Sequence, residues 1–405
     1  MTQSTTIAKA VKLLVATVAV GGFIGSAMAA DGTTRVIVKF KDGRASAGSM
    51  KSVVAAAKGT IKHEIFGTSA MAIDVPVNAL QGLRNNPNVE YVEEDQIRYP
   101  FALTSASTGN PYLTGQSVPY GIKQVQADLL PDTNVGNRKI CIIDSGVDRA
   151  HEDLVGNSAN MTGQYDSGTG NWYTDENSHG THVAGTIAGV NNSGLGVVGV
   201  NSNKRIKLHI VKVFAGSGWA YSSTLSSAAN QCGNAGANVI SMSLGGGSPN
   251  TTESNTFANL ASRGILNIAA AGNSGNTTVS YPAGYASVVM VGAVDEFKQW
   301  ASFSQYNSKV ELAGPGVSVL STVPLAVKGT KYAYLNGTSM ATPHVSAVAA
   351  LVWSYYPTCT GAQIRTSLTK SAQDLGTAGR DTKYGFGLVQ ARAAYDRIRT
   401  YGCGV

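Results

Sequence analysis

The chain has 405 residues, of which 43% are hydrophobic and only 14% are charged. This balance excludes a mainly disordered chain, and the length predicts more than one domain with a substantial core. Glycine accounts for 47 residues, about 12% against a usual ~7%, which indicates many tight turns and close backbone approaches. The net charge of +7 is scattered along the sequence, so we expect no nucleic-acid partner.

The first thirty residues have the pattern of a secretory signal. Lys9 and Lys12 precede an apolar run at 13–25, and small residues with an Ala-x-Ala site follow. The alternative is a retained membrane anchor, but the run is shorter than the ~20 residues of a spanning helix. We therefore expect cleavage after Ala29, a signal peptide at residues 1–29, no membrane anchor and a secreted, extracellular protein.

Residues 30–101 predict a small α+β domain. Strand-like and helical patterns alternate there in a βαββαβ order, which is typical of a split-βαβ, ferredoxin-like domain. Residues 102–115 are rich in Ser, Thr and Gly, and we expect a linker or an exposed arm. The predicted strands are 34–40, 61–66, 70–75 and 89–93, and the predicted helices are 49–58 and 77–84.

The rest of the chain, about 300 residues, alternates between strand-like and helical patterns. The strand-like runs are continuously apolar and β-branched, as in parallel strands that are covered on both faces. They predict an α/β domain with a mostly parallel sheet flanked by helices, whose site residues gather at the carboxyl ends of the strands. The predicted strands are 139–144, 208–214, 239–244, 265–271 and 288–294, and two predicted helices are 222–232 and 254–263.

Three polar motifs next to these elements carry chemistry. Asp144 ends a strand in DSG, His179 opens a helix in HGTHVAGT, and Ser339 opens another in GTSMATPH. A serine at a helix N-terminus lies among free backbone N–H groups, which suits a nucleophile whose attack creates an oxyanion. A histidine can take its proton, and an aspartate can orient the imidazole. Each residue alone is more often a cap or turn residue, so the inference depends on their joint occurrence.

In their order and their motifs, these three residues resemble the subtilisin-like serine proteases, or subtilases. The resemblance covers residues 116 to about 395, and the small domain resembles the inhibitory propeptide of this family. It implies a subtilisin-like peptidase domain at residues 116–405 and a propeptide at 30–101. The implied protein is a monomeric, broad-specificity serine endopeptidase, made as a self-processing zymogen, with peptide substrates and its own propeptide as partners.

The same resemblance assigns the catalytic roles. Asp144 is the orienting carboxylate, His179 the general base and acid, and Ser339 the nucleophile. His182 is the alternative base, but the family motif carries the catalytic histidine first. Asn273 matches the side-chain donor of the oxyanion hole, with the Ser339 N–H as its partner. The sequence has no H-E-x-x-H zinc motif, and an α/β-hydrolase would place its serine before its histidine.

Three further segments resemble the substrate-binding elements of the family. One borders the primary specificity pocket, the second is an edge strand that pairs with extended substrate, and the third forms the pocket floor. A small neutral floor residue leaves room for large apolar side chains and offers no counter-charge, so we expect cleavage after Phe, Tyr, Leu or Met. Two alternatives remain: a catalytically silent binding or chaperone protein, and a serine hydrolase of non-peptide esters or amides. The implied residues are Ser243, Leu244 and Gly245, then Gly216, Ser217 and Gly218, and finally Ser280.

A structural Ca²⁺ site is also implied. Asp153 lies nine residues after Asp144, as in the strong site of the family, and the loop at 191–197 resembles its ligand loop, with one extra residue. Side-chain and carbonyl oxygens are the ligands that calcium prefers. The alternative is a polar surface loop without an ion. The implied ligands are the side chains of Gln116, Asp153 and Asn192 and the carbonyls of Val190, Leu195 and Val197.

Four cysteines are present, Cys141, Cys232, Cys359 and Cys403, and no Cys-x-x-Cys pair occurs. In an oxidising compartment their even number favours two disulfides with three possible connectivities, although Cys141 could be a free buried thiol. Resemblance to the family favours Cys141–Cys232 and Cys359–Cys403.

The propeptide of the family ends a few residues after a segment that resembles 92–95 in this chain. Counting on from Asp95 places the last propeptide side chain at Phe101. We therefore expect the enzyme to cut itself between Phe101 and Ala102.

Overall fold

The computed structural model describes residues 32–104, 115–165, 168–192, 194–216 and 218–405. The expected signal peptide, most of the expected arm and Ser217 lie outside these residues. Within the described part of the chain, no helix has the length and apolar character that a membrane crossing requires.

The N-terminal region folds as a four-stranded antiparallel sheet in the order β2-β3-β1-β4. Alternate residues of β1, including Val38 and Phe40, pack with Val54 of α1 and Leu83 of α2 in one buried cluster. Both helices therefore cover the same face of the sheet, and the expected βαββαβ order is confirmed. The elements are β1 (Thr33–Phe40), α1 (Ala47–Ala56), β2 (Thr60–Glu64), β3 (Ala70–Pro76), α2 (Leu80–Arg84) and β4 (Val89–Glu94).

The C-terminal region, from residue 115 onward, is larger and is built on parallel strands. Two short strands precede it, β5 (Ile97–Pro100) and β6 (Leu103–Thr104). Its own elements follow in chain order: α3 (Tyr120–Gln124), β7 (Lys139–Asp144), β8 (Met161–Tyr165), α4 (His179–Ala188), β9 (Lys207–Lys212), β10 (Ala220–Tyr221), α5 (Ser222–Asn234), β11 (Val239–Met242), β12 (Leu244–Gly245), α6 (Thr251–Ser262), β13 (Leu266–Ala270), β14 (Val288–Val294), β15 (Val310–Pro315), β16 (Val319–Thr322), α7 (Leu325–Lys328), β17 (Tyr332–Asn336), α8 (Thr338–Tyr355), α9 (Gly361–Lys370) and α10 (Ala391–Tyr401).

Seven of these strands form one sheet in the order β15-β14-β13-β11-β7-β9-β8, and every pairing in it is parallel. All five predicted strands are present, and β7 and β14 have the predicted bounds. The predicted strand 239–244 is wrong in its extent, because Ser243 separates β11 from β12. The sequence patterns missed both outermost strands: β8 mixes polar residues with one glycine, and β15 contains Glu311, Gly314 and Pro315.

Buried residues lie on both faces of the large sheet. On one face, α4 and α8 pack with α9 and α10, and on the other face α5 and α6 pack. Helix α8 is apolar nearly all round and is buried along almost its whole length, as expected of a central helix. The sheet and its helices thus hold the carboxyl ends of β7, β11 and β13 close to the N-termini of α4 and α8.

Two disulfides join elements of the large domain. Cys141 on β7 is bonded to Cys232 on α5, and Cys359, just after α8, is bonded to Cys403 near the C-terminus, with Cα–Cα distances of 5.6 and 5.7 Å. The preferred connectivity is confirmed, and the alternative of a free Cys141 is wrong.

Two carboxylates of the small domain contact helix N-termini of the large one. Glu93 accepts hydrogen bonds from the backbone N–H groups of Thr251 and Thr252, both 2.8 Å, at the start of α6. Asp95 accepts from the N–H (3.0 Å) and hydroxyl (2.7 Å) of Ser223, in the first turn of α5. Negative charge is favoured at helix N-termini, so these two carboxylates fix the small domain on the large sheet's α5–α6 face.

Candidate active site

The three residues of the expected triad lie where the sequence predicts them, one at a strand end and two at helix starts. Asp144 ends β7, His179 begins α4, and Ser339 lies in the first turn of α8. Nδ1 of His179 is 2.7 Å from Oδ1 of Asp144, and both side chains are buried. Burial alone would lower the pKa of His179, but the charge and hydrogen bond of Asp144 outweigh it and raise that pKa.

Asp175 fixes the turn that leads into α4. Its carboxylate accepts hydrogen bonds from the Ser145 hydroxyl (2.9 Å), the Ser178 N–H (2.8 Å) and the Thr181 N–H (2.9 Å). Burial raises the pKa of Asp175, and these donors oppose that rise. Sequence reasoning missed this residue, whose only local signal is its position four residues before His179.

The two other histidines near the site have structural contacts. Nε2 of His182 lies 3.0 Å from the carbonyl oxygen of Val319, and burial lowers the pKa of His182 to about 3. Nδ1 of His344 lies 2.8 Å from the carbonyl oxygen of Met340, and burial lowers its pKa to about 4. Both imidazoles are therefore neutral and engaged with backbone, whereas only His179 contacts a carboxylate.

Ser339 and Ser243 exchange hydrogen bonds across the end of β11. The Ser339 hydroxyl donates to the Ser243 carbonyl, and the Ser243 hydroxyl donates to the Ser339 carbonyl, both at 2.8 Å. The second bond has a clear cause: Pro343 has no N–H for the carbonyl four residues earlier in α8, which is that of Ser339. Among the described residues, Nε2 of His179 has no hydrogen-bond partner. Proton transfer from Ser339 to His179 thus needs the serine hydroxyl to turn away from Ser243, and such catalytic contacts often tighten only with substrate.

The carbonyl oxygen of Phe101 lies between two hydrogen-bond donors. Nδ2 of Asn273 is 2.8 Å from it, and the backbone nitrogen of Ser339 is 3.3 Å from it. The N–H and the hydroxyl of Thr338 both donate to Oδ1 of Asn273 at 2.9 Å, which turns the amide N–H₂ toward Phe101. This is the arrangement of an oxyanion hole around a peptide carbonyl.

Gly337, just before α8, lets the chain approach this carbonyl. Its φ of 147° lies in the region that favours glycine, and a Cβ at this position would be 2.4 Å from the Phe101 carbonyl oxygen and 3.3 Å from Cα of Ala102. The peptide bond between Phe101 and Ala102 therefore lies directly at the Ser339 helix N-terminus.

The chain before and after this bond is extended and pairs with strands of the large domain. Strand β5 lies antiparallel between β10 and β12, and β6 lies antiparallel to β17. Strand β10 (Ala220–Tyr221) pairs with β5, and of the expected edge strand at 216–218 the described residues Gly216 and Gly218 lie in the turn before it. Gly218 has a φ of 69°, which is a turn conformation and unsuited to an extended ladder.

The ring of Phe101 packs on Gly245. A Cβ at Gly245 would lie 2.6 Å from Cε2 of Phe101, so a larger residue would exclude this ring. The backbone N–H of Phe101 donates to the Ser243 carbonyl, and Leu244 pairs with Pro100. The three residues expected at the border of the specificity pocket thus contact the end of the expected propeptide.

Ser280 lies beside the same pocket border. The bridge between Tyr281 and Gly246 brings its segment against β12, and the Ser280 hydroxyl lies 3.3 Å from Oε1 of Gln305. A Cβ at Gly272 would lie 1.7 Å from that same oxygen, so the Gln305 amide fills the space next to Asn273. Sequence reasoning missed Gln305, which lies in a loop with no motif.

The residues expected to hold calcium come together just beyond the C-terminal end of α4. Nδ2 of Asn192 is 3.0 Å from Oδ1 of Asp153, the Val197 N–H donates to Oδ2 of Asp153 (2.7 Å), and Gln116 donates to the Val190 carbonyl (2.7 Å). The Leu195 N–H donates to the Asn192 side chain (3.0 Å), which closes the loop.

The negative charge of this cluster suits a cation, but the side-chain amides of Gln116 and Asn192 do not point their oxygens toward a common centre. Asp153 is completely buried, and burial raises its pKa to about 7, which indicates a carboxylate that lacks a positive partner. The described residues contain no cluster of three or more His, Cys, Asp or Glu side chains that could hold a metal. Besides the Asp153 carboxylate, an ion would therefore depend on amide and carbonyl oxygens, and the amides of Gln116 and Asn192 would have to turn their oxygens toward it.

Comparison with known proteins assigns the family. Residues 136–387 match the family model described as the subtilase family, and residues 33–95 match the model described as the fervidolysin N-terminal prodomain. The first match covers more than half of the chain, and this chain belongs to the subtilase family. It is a serine endopeptidase with an N-terminal prodomain.

Relatives of known identity support this assignment over most of the chain. Subtilisin amylosacchariticus from Bacillus subtilis subsp. amylosacchariticus is 39% identical over 370 residues, which cover 89% of this chain and 90% of the relative. Subtilisin Savinase from Lederbergia lenta is 43% identical over 282 residues, 69% of this chain and 99% of that protein. The psychrophilic subtilisin-like protease Apa1 from the Antarctic psychrotroph Pseudoalteromonas sp. AS-11 is 35% identical, with a TM-score of 0.67 over 72% of this chain and 100% of that structure.

Proposed function

We propose that Asp144, His179 and Ser339 hydrolyse peptide bonds through an acyl-enzyme. Ser339 Oγ attacks the substrate carbonyl carbon while His179 takes its proton, and Asp144 keeps the imidazole oriented through Nδ1. His179 then gives the proton to the leaving amine. Water, with His179 again as the base, attacks the acyl-enzyme and releases the carboxylic acid. Asn273 and the Ser339 N–H stabilise the oxyanion at each addition.

The observation that carries this proposal is the position of the Phe101 carbonyl. Its oxygen accepts from Nδ2 of Asn273 and the N–H of Ser339, with the next residue, Ala102, beside Gly337. A bond held in this way is a substrate bond before cleavage, because donors aimed at a carbonyl oxygen support the oxyanion that forms there. We infer self-cleavage between Phe101 and Ala102, with residues 30–101 as the propeptide and 116–405 as the peptidase domain.

The test of this proposal is the Ser339→Ala protein. It should accumulate as an uncut species that begins near Ala30, and its hydrolysis of casein should fall by a factor of about 10⁶. His182→Ala should keep the mechanism, since His182 contacts only backbone. An inactive Ser339→Ala protein that is already cut after Phe101, once purified away from other proteases, would contradict self-processing.

The primary specificity follows from the ring that occupies the pocket. Phe101 packs on Gly245, and the neutral Ser280 and Gln305 lie nearby without an acidic side chain. We infer a preference for Phe, Tyr, Leu or Met before the cut bond. Peptides that differ only at this residue, compared by kcat/KM, test it, and a preference for Lys or Arg there would overturn it.

Two other functions remain as outcomes of a simple assay. A catalytically silent subtilase-like protein would not hydrolyse casein, and a non-peptide hydrolase would cleave esters but not casein. A serine-directed phosphonate should abolish casein hydrolysis, whereas a zinc chelator should leave it unchanged.

We also propose that the enzyme is secreted as a monomer with a structural calcium ion. The ion would be held by Asp153, Gln116 and Asn192 with the carbonyls of Val190, Leu195 and Val197, and it would neutralise the buried carboxylate of Asp153. The ion would act on stability alone and would take no part in the chemical steps. N-terminal sequencing of the secreted product tests export and maturation together, and light scattering tests the monomeric state.

A further inference from the structure

Arg98 is an arginine of β5 that lies three residues before Phe101 and is completely buried. Its Nε donates to Oε1 of Glu253 at 3.0 Å, and its Nη2 donates to Oε2 of the same carboxylate at 2.7 Å. The Ser248 carbonyl accepts a further bond from Nη2 at 3.0 Å. The neighbouring Tyr99 is 49% exposed, so burial here is specific to the guanidinium.

Besides its contacts with Arg98, Glu253 is held in place by residues of the large domain. It lies in the first turn of α6, where the helix N-terminus favours a negative side chain. The Asn250 side chain accepts from its backbone N–H at 3.0 Å, and the Tyr285 hydroxyl lies 2.7 Å from Oε2. The carboxylate is completely buried. The pocket of Glu253, Tyr285 and the Ser248 carbonyl therefore belongs to the mature peptidase.

The backbone sets the register of this pocket relative to the cut bond. Arg98 pairs with Ala220 on β10, Pro100 pairs with Leu244 on β12, and the chain then reaches the oxyanion hole at Phe101. An extended substrate that pairs with the same two strands places its fourth residue before the cut bond at the position of Arg98.

We propose that Glu253 makes this subsite select a guanidinium side chain, so that the enzyme prefers arginine at the fourth residue before the cut bond. The proposal rests on the proposed cleavage at Phe101–Ala102, which sets the register. When the propeptide leaves, Glu253 loses its cationic partner, and the empty subsite keeps a carboxylate that a substrate cation can pair with. A substrate arginine restores the two-point contact, lysine can restore only the charge, and an apolar residue restores neither.

The first experiment uses the mature wild-type enzyme and three quenched fluorescent peptides with the sequence of residues 97–104. Arg98 is kept, replaced by citrulline as a neutral isostere, or replaced by leucine. We expect kcat/KM for the arginine peptide to exceed that for the citrulline peptide about tenfold or more, because a buried charge-assisted contact is lost. Equal rates for the three peptides would overturn the proposal. If none of them and no casein is cleaved, the proposed function fails instead.

The second experiment changes the pocket. Glu253→Gln is combined with Arg98→Gln, so that the zymogen buries a neutral pair while the enzyme loses the carboxylate. The ratio of arginine to citrulline rates should fall to about one. Glu296→Gln, which removes an exposed carboxylate of the same domain, is the matched control and should keep the wild-type ratio. A double variant that keeps the wild-type ratio would overturn the assignment to Glu253. Should that variant not accumulate, the wild-type peptide ratio still decides.

Discussion

The two domains of this protein are stabilised in different ways. The large domain has buried clusters on both faces of its parallel sheet and two disulfides, whereas the small domain has one modest cluster against its helices and a second of only three residues, Ile37, Ile65 and Ala70. The small domain contacts the large one through Glu93 and Asp95 at two helix N-termini and through β5 in the cleft. Polar contacts and one strand hold a domain without merging the cores. This difference explains how a propeptide can be docked firmly and still be released.

Among the changes that test this difference between the domains, we expect the largest loss of stability from removal of a disulfide of the large domain. Replacing both Cys141 and Cys232 by serine removes a link between positions 91 residues apart, which is worth about 3–5 kcal/mol in the chain-entropy model. Chemical denaturation of the Ser339→Ala precursor should show the large domain destabilised by this amount. If a spectroscopic probe in the small domain reported the same loss of stability, the two cores would not be separate.

Calcium should stabilise the large domain alone. At a hundred times its dissociation constant the ion adds about 2.7 kcal/mol to the free energy of unfolding. Asp153→Asn should abolish the calcium dependence of the melting temperature, measured by calorimetry with and without a chelator. Asp128→Asn, at an exposed position, is the control and should retain it. If the melting temperature of Asp153→Asn still depended on calcium, the ion would not be bound at this site.

The docking carboxylates should control how long the propeptide stays bound after cleavage. Asp95→Asn weakens charge-assisted hydrogen bonds at the N-terminus of α5, and we expect its release rate to rise about 10- to 30-fold, or roughly 1.4–2 kcal/mol. Glu94→Gln has the same charge change at an exposed neighbouring position and should have little effect. Recovery of activity after self-cleavage measures release. If Asp95→Asn releases the propeptide as slowly as wild type and Glu94→Gln, docking does not depend on the hydrogen bonds of Asp95.

The smallest effect concerns pH, because both reactions are expected to use the same base. The pKa of His179 is raised, so falling pH protonates it and should lower the rate about tenfold for each pH unit below that pKa. We expect self-cleavage and peptide hydrolysis to share this acid limb. The ion pair with Asp144 has the opposite sign for stability: its contribution is fully present below the unfolded pKa of histidine and is lost as pH rises through the folded one. Clearly different acid limbs would indicate that propeptide release, and not His179, limits one of the reactions.

Much of the fold could be predicted from local patterns. The strands of the small domain and β7 and β14 of the large sheet follow from alternation or from continuous apolar runs. The outer strands β8 and β15 could not, because an edge position is decided by the neighbour that a strand finds and not by its own composition. The split at Ser243 has the same origin, since its hydroxyl and carbonyl both turn toward Ser339.

The candidate site divides in a similar way. The sequence by itself indicated the triad candidates, because short motifs at strand ends and helix starts constrain a residue through its immediate neighbours. Resemblance to the family added Asn273, the bond at Phe101 and the cysteine pairs. Only the tertiary structure decided that β10 pairs with β5, and that Gln305, Asp175 and Glu253 reach the cleft. Glu253 and Arg98 are 155 residues apart in the chain. A contact at that separation depends on how α6 packs against the sheet, and no local pattern of residues encodes it.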